Sequence, residues 1–299
     1  MIVLSLFDGM SCGQIALERA GFKVKKYFAS EIKKHAIKCT KHNYPNTIHI
    51  GDVRKVKYKN GVLYSEVGEF KVGHIDLLIG GSPCQNFSFI RATTGNKIDG
   101  LNGDKSSLFY EFLRILKEVN PTYFLLENVK MKKESEKELN EYLGVEGIHI
   151  NSNLVSYQHR ERIYWTNIPK VTVPEDRNIS FQDYKDTDFE YCKQFKVPYT
   201  PSRIKYWNNG LSTKPTATTC PNVTYSDKIY CLTRKQDRCP NSGLVEFEDF
   251  CRFLTRRELE LAQNVPVGYT NCVSYNQAQD LLGEGWTVDV IAHIFSFIK

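Results

Sequence analysis

The sequence has no apolar run long enough to cross a membrane, because Asp, Lys or Gly interrupts each long candidate within about a dozen residues. It also has no basic leader before its first apolar stretch, which leads at once into the glycine-containing loop of MIVLSLFDGMSCG. We therefore interpret this stretch as a buried strand and expect no signal peptide. The expectation is a cytoplasmic protein without a membrane partner.

No two of the nine cysteines form a Cys-x-x-Cys pair. A zinc site of the usual spacing is therefore not expected, and we predict no bound metal. In a reducing compartment most of these cysteines serve as small buried apolar residues. A reactive cysteine has to be identified by its neighbours in the sequence.

A strong overall charge is missing too, since the net charge is only +6. The charge is unevenly distributed, because residues 196–240 carry eight Lys or Arg against two Asp. Their net charge of +6 equals the net charge of the whole chain. Local basic charge in an otherwise neutral chain indicates an anionic partner that is contacted at one place. A solvated loop with a chance excess of basic residues is the alternative.

Short apolar runs alternate with helical stretches through residues 1–130. The predicted strands end at Gly, Glu or polar turns and are Ile2–Phe7, Lys25–Ser30, Ile75–Ile79 and Tyr123–Leu126. The predicted helices between them are Gly13–Ala20, Lys33–His42 and Ser107–Lys117. Continuous apolar strands without alternation indicate a parallel sheet covered on both faces. The pattern predicts a doubly wound, mostly parallel α/β fold, whose ligands bind at the carboxyl ends of the strands.

The texture of the sequence changes in its second half, where Pro, Asn, Thr, Tyr and Lys become frequent. We predict a catalytic and cofactor-binding domain over residues 1–166 and a small inserted domain over residues 167–252. Helical patterns return near the end, and residues 253–299 are expected to fold back onto the first domain.

The loop FDGMSCG, residues 7–13, follows the first strand and opens a helix. Gly9 and Gly13 would allow the backbone to approach a ligand closely. Glu31 and Asp52 end the next two strands, where an acid can accept hydrogen bonds from ribose hydroxyls. A loop followed by two such acids indicates an adenosine-containing ligand. The alternative is that both acids merely cap helices or turns.

Further polar motifs follow the later strands. GGSPCQNFS places Cys84 just after a strand, where a thiolate near arginines would be a competent nucleophile. Glu127 in ENV ends the following strand and could act as a proton donor beside that thiol. In QHRERIYW, alternation places Arg160 and Arg162 on one face of a strand. Such a pair is either an anion or carbonyl clamp or part of a solvated edge strand.

In this order, FDGxxxG, SPCQ, ENV and QxRxRIY resemble the motifs of the DNA cytosine-5 methyltransferases. LTRRELELAQNVPVGY (254–269) and LLGEGWTVDVIAHIF (281–295) are similar to the last motifs of that family. FDG, ASE, GGSPC, SYQHRERIYW and GWTV are more similar to the catalytic domain of the de novo type than to common bacterial members. Ser11, and Glu284-Gly285-Trp286 in place of Gly-Asn, depart from the bacterial pattern and fit the de novo type.

The resemblance implies an S-adenosylmethionine-dependent methyltransferase fold with a small target-recognition domain inserted. It also implies transfer of a methyl group from S-adenosyl-L-methionine to carbon 5 of a flipped-out cytosine in double-stranded DNA. Cys84 would add to carbon 6 of the base, Glu127 would contact ring nitrogen 3, and Arg162 the exocyclic oxygen. Arg160 would help to position the nucleotide and the loop, and Asn128 would hold the region of Glu127.

The resemblance further implies two sets of binding residues. The cofactor would contact Phe7, Asp8, Gly9, Met10, Glu31, Ile32, Asp52, Val53, Pro83, Leu108, Trp286 and Val288. The DNA would contact Gln85, Ser88, Arg203, Lys205, Lys214, Arg234 and Lys235. The expected setting is the cytosol of a bacterium or of a phage host, with a monomeric enzyme and a cognate restriction endonuclease as a candidate partner.

Two other functions stay open at this point. The same chemistry on RNA is one, although the transfer-RNA-modifying branch usually carries a Cys-Phe-Thr signature in its recognition region and this sequence has none. The other is a catalytically silent DNA-binding protein of the kind found among relatives of the de novo enzymes. Such relatives typically lose the catalytic motifs, whereas SPC, ENV and both arginines are present here.

Overall fold

The computed structural model of this chain describes residues 1–82, 107–198, 221–236, 240–247 and 250–299. The chain divides into two compact units. The first consists of Met1–Ile150, Glu161–Val173 and Val290–Lys299, and the second of Asn151–Arg160 and Pro174–Asp289.

Strands and helices alternate through the first unit and are sparser in the second. The strands are β1 (Ile2–Leu6), β2 (Lys26–Ser30), β3 (Ile48–His49), β4 (Lys57–Lys59), β5 (Val62–Ser65), β6 (Gly68–Lys71), β7 (Leu77–Gly81), β8 (Tyr123–Val129), β9 (Ile148–Asn151), β10 (Glu161–Thr166), β11 (Val245–Phe247) and β12 (Phe250–Arg252). The helices are α1 (Cys12–Arg19), α2 (Lys34–Asn43), α3 (Ser107–Val119), α4 (Lys133–Leu143), α5 (Phe189–Lys193), α6 (Arg256–Ala262), α7 (Tyr275–Glu284) and α8 (Val288–Phe295). Within the described ranges, no helix has both the length and the apolar character that a membrane span requires.

The central sheet of the first unit has seven strands within the described residues, in the order β3-β2-β1-β7-β8-β10-β9. β1 pairs in parallel with β2 and β7, β2 with β3, and β7 with β8. β10 is antiparallel to β8. The predicted α/β fold with a mostly parallel sheet is therefore confirmed. The inserted recognition domain stays a prediction, because residues 199–220 lie outside the described part of the chain.

The strands are buried because their side chains are apolar on both faces. Leu4, Phe28 and Leu78 are fully buried, and they share one core with residues of α3. That helix presents Phe109, Phe112 and Leu113 to the core, at the spacing of an amphipathic helix. Gly80 is needed at the end of β7, since a Cβ there would lie 3.0 Å from the Phe112 ring and 3.2 Å from the Leu6 carbonyl.

β4, β5 and β6 form a separate three-stranded antiparallel sheet that the sequence analysis did not predict. Leu63 pairs with Tyr58 on one side and Phe70 on the other, and these three side chains pack against the core. The hairpin between β4 and β5 turns at Asn60-Gly61, with φ angles of 50° and 76°. Asn-Gly with both φ angles positive is the preferred two-residue hairpin turn, so this dipeptide was the missed signal.

The division into units differs from the one predicted from the sequence. α6 and α7 belong to the second unit, and within the predicted fold-back segment only Val290–Lys299 belongs to the first. Asn151–Arg160, predicted in the first domain, also belongs to the second unit. Buried hydrogen bonds explain the grouping of 151–160, since the Tyr157 hydroxyl donates to the Glu258 carbonyl of α6 at 2.5 Å.

A buried ion pair organises the second unit around α6. Arg252 donates to both carboxylate oxygens of Glu258 at 2.8 Å, and both side chains are 0% exposed. Glu258 also accepts the Asp186 N–H at 2.8 Å and the Thr255 N–H at 2.7 Å. The Thr255 hydroxyl oxygen in turn accepts a hydrogen bond from the Glu258 N–H, which completes a capping box at the start of α6.

We expect Glu258→Ala to lower the free energy of unfolding by about 3–5 kcal/mol, because it leaves Arg252 buried without its anionic partner. Replacing both residues at once, as in Arg252→Met with Glu258→Leu, should cost less than the single change. Urea denaturation measures both losses. Glu161→Ala is the control, because its pair with Lys130 is 55% and 56% exposed and should be worth less than about 1 kcal/mol. A double variant less stable than Glu258→Ala would contradict this interpretation.

Candidate active site

The carboxyl ends of four neighbouring parallel strands meet at one edge of the central sheet. Leu6 at the end of β1 pairs with Ser30 of β2 and with Gly80 of β7. Gly81, the last residue of β7, pairs with Glu127 of β8. The loop after β1, the turn at Glu31 and the segment that leads to Cys84 therefore all start from the same edge as Glu127. The structure thus brings together the strand-end motifs that the sequence analysis singled out in the first unit.

The loop after β1 is held in an unusual backbone conformation. Phe7, Gly9 and Ser11 have φ angles of 58°, 60° and 62°, in the left-handed region that side chains other than hydrogen disfavour. A Cβ on Gly9 would meet nothing within 4 Å, so open space borders the loop there. The Gly9 N–H donates to Glu31 Oε2 at 2.9 Å, which ties the loop to the end of β2.

Asp8 lies beneath this loop. Its carboxylate accepts a hydrogen bond from the Tyr27 hydroxyl at 2.7 Å and another from the Ser11 hydroxyl. Burial raises the pKa of Asp8 to about 6, and the hydrogen bonds from Ser11, Ser5 and Tyr27 oppose that rise. The carboxylate of Asp8, a residue predicted to contact the cofactor, supports the loop through these hydrogen bonds. Tyr27 and Ser11 are supporting residues that the sequence analysis missed.

Glu31 and Asp52 both accept backbone hydrogen bonds at turns, as the alternative interpretation of the sequence allowed. Glu31 Oε1 accepts the N–H groups of Ile32 and Lys33, each at 2.8 Å. Asp52 caps the short 3-10 turn Val53–Lys55 and forms an ion pair with Arg54. The hydrogen bond from Arg54 is the main reason that the pKa of Asp52 lies below its usual value.

An adenosine-containing ligand fits the residues at this edge. Ile32 is 64% exposed directly after Glu31, an apolar surface on which an adenine ring could lie. Glu31 is at the strand end, where the carboxylate can reach a ribose, and Gly9 borders open space. Among the other predicted cofactor residues, Met10 and Val53 are buried. Phe7 and Leu108 pack partly buried against the core.

Glu127 and Arg162 form an ion pair on adjacent strands. Arg162 Nε lies 2.9 Å from Glu127 Oε1, and the two side chains are 13% and 11% exposed. Asn128 donates from Nδ2 to the Ser82 hydroxyl at 3.0 Å, in a buried contact that holds the start of the segment after β7. The predicted nucleophile Cys84 follows Ser82 by two positions. Pro83, Cys84, Gln85 and Ser88 lie outside the described residues.

Arg160 belongs to the second unit, unlike Arg162. Burial does alternate here, since Gln158 and Arg160 are buried and His159 and Glu161 exposed, but β10 begins only at Glu161. The guanidinium of Arg160 donates to backbone carbonyls within the second unit. Trp286 and Val288, predicted to line the cofactor pocket, also belong to that unit.

Two of the predicted DNA contacts can be located. Arg234 forms ion pairs with Asp280 at 3.6 Å and Glu284 at 3.1 Å, so its charge is already engaged within the second unit. Lys235 is exposed, and its N–H donates to Asp280. Arg203, Lys205 and Lys214 lie outside the described ranges.

The raised pKa of Asp8 predicts a pH-dependent loss of stability. The pKa is about 6 in the folded protein, against an ordinary value of 3.8 for an aspartate, so the folded state binds the proton more tightly. Stability contributed by the neutral carboxyl is therefore fully present below about pH 4 and is lost as the pH rises to about 6, by roughly 3 kcal/mol. Asp8→Asn should abolish this slope in urea midpoints measured between pH 4 and pH 7.

Asp52→Asn is the matched control for the Asp8 experiment. The pKa of Asp52 is lowered, so its contribution is present at neutral pH and is lost as the pH falls, the opposite sign. Parallel stability curves for the wild type and Asp8→Asn would contradict the burial of a titrating carboxyl at position 8.

Solved structures of methyltransferases share this fold. S. pombe Dnmt2 methyltransferase matches with a TM-score of 0.70 at 17% sequence identity, over 99% of this chain and 97% of that one. Entamoeba histolytica methyltransferase EhMeth matches with a TM-score of 0.72 at 14% identity, again over 99% and 97%. At such identities the likeness shows the fold, which confirms the prediction of a methyltransferase fold.

Curated proteins are similar over part of their length. Orphan methyltransferase M.Rho11sI of Bacillus phage rho11s is 33% identical over 187 residues, which are 58% of this chain and 34% of the relative. Type II methyltransferase M.FnuDI of Fusobacterium nucleatum is 30% identical over 222 residues, which are 71% of this chain and 55% of the relative. The chain thus spans between about a third and about half of the length of these relatives.

The sequence family described as C-5 cytosine-specific DNA methylase matches residues 1–194, more than half of the 299 residues. The match includes the loop after β1, the strand ends and the Glu127–Arg162 pair, which are the features that carried the resemblance in the sequence. The chain therefore belongs to the C-5 cytosine-specific DNA methylase family.

Proposed function

We propose that this protein transfers a methyl group from S-adenosylmethionine to carbon 5 of cytosine in double-stranded DNA. The observation that carries the proposal is the Glu127–Arg162 ion pair at the sheet edge. The register places Glu127 beside Gly81, three positions before Cys84. The carboxyl group of Glu127 and the guanidinium of Arg162 therefore lie next to the segment that leads to Cys84. This edge is where a parallel α/β sheet binds its ligands.

S-adenosylmethionine would supply an activated methyl group on a sulfonium. Gly9 and the turn at Glu31 and Ile32 would hold its adenosine, through the open space at Gly9, the carboxylate and the exposed apolar side chain. Asp8 would act indirectly, since the loop it supports is the one that borders this space. Asp52 would contribute through the turn that it caps.

The Cys84 thiolate would add to carbon 6 of the cytosine ring, which makes carbon 5 nucleophilic. Glu127 would hydrogen-bond or protonate ring nitrogen 3 as negative charge develops there, and Arg162 would bind the exocyclic oxygen. Transfer of the methyl group to carbon 5 would leave S-adenosyl-L-homocysteine as the product of the cofactor. Loss of the proton from carbon 5 would then re-form the ring double bond and release Cys84. The mutual contact of Glu127 and Arg162 supports this assignment, because it holds both side chains at one place before the base arrives.

A cytosine inside a duplex hides carbon 6 in the base stack, so the base would have to be flipped out at a cost of a few kcal/mol. The sequence suggests residues 85–103 as the cover that closes over the flipped base, and this segment lies outside the described residues. A cognate restriction endonuclease and a monomeric enzyme stay expectations of the same proposal.

Cys84→Ser should abolish methylation, by at least about a thousandfold, because a hydroxyl is far less nucleophilic than a thiolate at neutral pH. Binding of duplex DNA, measured by fluorescence anisotropy, should persist in the variant. Cys272→Ser is the matched control, a free and partly exposed cysteine that should tolerate the change. Full activity of Cys84→Ser would refute the nucleophile, and an inactive wild type that binds DNA would favour a silent DNA-binding protein.

The substrate can be decided by tritium transfer from labelled S-adenosylmethionine to unmethylated duplex DNA or to transfer RNA, in parallel. We expect incorporation into the DNA, because the sequence has no Cys-Phe-Thr signature of the RNA-modifying branch. Bisulfite sequencing of the treated DNA would then identify the target cytosine. A signal with RNA alone would contradict the proposal.

A further inference from the structure

Arg160 is buried in the second unit and binds the backbone of two separate segments. Arg160 is only 3% exposed. One terminal nitrogen of its guanidinium, Nη1, donates to the Leu232 carbonyl at 2.9 Å. The other, Nη2, donates to the Gly283 carbonyl at 3.2 Å and to the Gly285 carbonyl at 2.9 Å. Each of these bonds is charge-assisted, and the bond to Leu232 is also buried, the situation in which such bonds are strongest.

The two glycine carbonyls lie at the C-terminal end of α7. Carbonyls in the last turn of a helix have no partner within the helix, and the helix dipole makes this end partly negative. The guanidinium of Arg160 supplies both the hydrogen-bond donors that these carbonyls lack and a positive charge at the negative end of the helix. Because Gly285 directly precedes Trp286, the same contact fixes the backbone that leads into GWTV, the segment predicted to contact the cofactor.

The remainder of GWTV is held by a buried polar network on the same unit. The Gln263 side chain donates to the carbonyls of Leu282 at 2.5 Å and Gly285 at 3.2 Å. Thr287 donates to Gln263 Oε1 at 2.8 Å, and the Val288 N–H donates to the Gln263 carbonyl at 3.0 Å. These bonds anchor the Gly285 carbonyl, the Thr287 hydroxyl and the Val288 N–H, so the positions on both sides of Trp286 are fixed.

Gly283 allows the segment that follows Leu232 to lie directly against this helix end. A Cβ at Gly283 would lie 2.5 Å from the Thr233 carbonyl carbon and 2.8 Å from the Arg234 backbone nitrogen. Both are backbone atoms, so a side chain there would force the segments apart. The close approach places the Leu232 carbonyl and the Gly283 carbonyl within reach of one guanidinium, which explains how Arg160 can bind both.

We propose that Arg160 is a positioning residue for cofactor binding: it holds the end of α7 and the backbone that leads into Trp286, and it does not bind the base. The proposal rests on the proposed function and on the sequence resemblance, which implies that Trp286 contacts the cofactor. It revises the role expected from the sequence, where Arg160 and Arg162 acted together on the nucleotide. Arg162 keeps its contact with Glu127, and Arg160 acts through GWTV.

The test compares Arg160→Met with Arg162→Met, two equal truncations of the guanidinium. Arg160→Met should raise the Kd for S-adenosylmethionine, measured by titration calorimetry without DNA, by about tenfold or more. Its methylation rate at saturating cofactor should fall less than the affinity does. Arg162→Met should leave that Kd within about twofold and should lower kcat by about a hundredfold or more.

The split between cofactor affinity and kcat separates positioning from mere destabilisation. A smaller folded fraction lowers the apparent kcat and the number of binding sites but leaves the Kd of the folded molecules unchanged. Arg160→Lys should restore part of the affinity by keeping one charged donor. Gly283→Ala should raise the same Kd while the Arg160 side chain itself is kept, because the added methyl group separates the helix end from residues 233 and 234.

An unchanged Kd in Arg160→Met, or a loss of kcat at saturating cofactor equal to that of Arg162→Met, would overturn the inference. Failure of the proposed function gives a different result. A wild-type protein that binds S-adenosylmethionine but methylates no cytosine would refute the function, and the effect of Arg160 on the Kd would stand. A wild type that binds no S-adenosylmethionine would refute both.

Discussion

The parallel pairing of β1 with β2 and β7, and of β7 with β8, is the constraint on which the first unit depends. Parallel strands can be paired only if the chain crosses back to the amino ends before each new strand. The carboxyl ends of these strands, and the loops that follow them, therefore all lie at one edge of the sheet. The loop at Gly9, the turn at Glu31, the approach to Cys84 and Glu127 are distant in sequence and are neighbours for this single reason. The site is a consequence of the sheet.

Hydrogen bonds within that edge then shape the site without any ligand. Glu31 ties the glycine loop to the end of β2, and Asp8 supports the same loop from a partly buried position. Asn128 ties the start of the Cys84 segment to β8 through Ser82. Glu31 and Asp8, which in the sequence suggest ligand contacts, thus both hold the loop at Gly9, where open space borders the backbone.

The two arginines of one short motif illustrate how sharply neighbours can differ. Arg162 lies in β10 beside Glu127, whereas Arg160, two positions earlier, precedes the strand and binds carbonyls of the second unit. Alternation correctly indicated that both differ in burial from the residues between them. It could not indicate the carbonyl groups that Arg160 binds, because two of those lie 72 and 125 residues away along the chain.

Local pattern in the sequence was enough for the parallel α/β sheet, its strand-end motifs and the family, because apolar runs and glycine turns act over a few residues. The Asn60-Gly61 hairpin could also have been found in this way. Long-range packing alone decided the hydrogen bond between Asp8 and Tyr27, the Arg252–Glu258 pair, the membership of α6 and α7 in the second unit and the carbonyl partners of Arg160. Each of these depends on which distant groups share a buried space, and in that space the cost of an unpaired charge or carbonyl selects the partner.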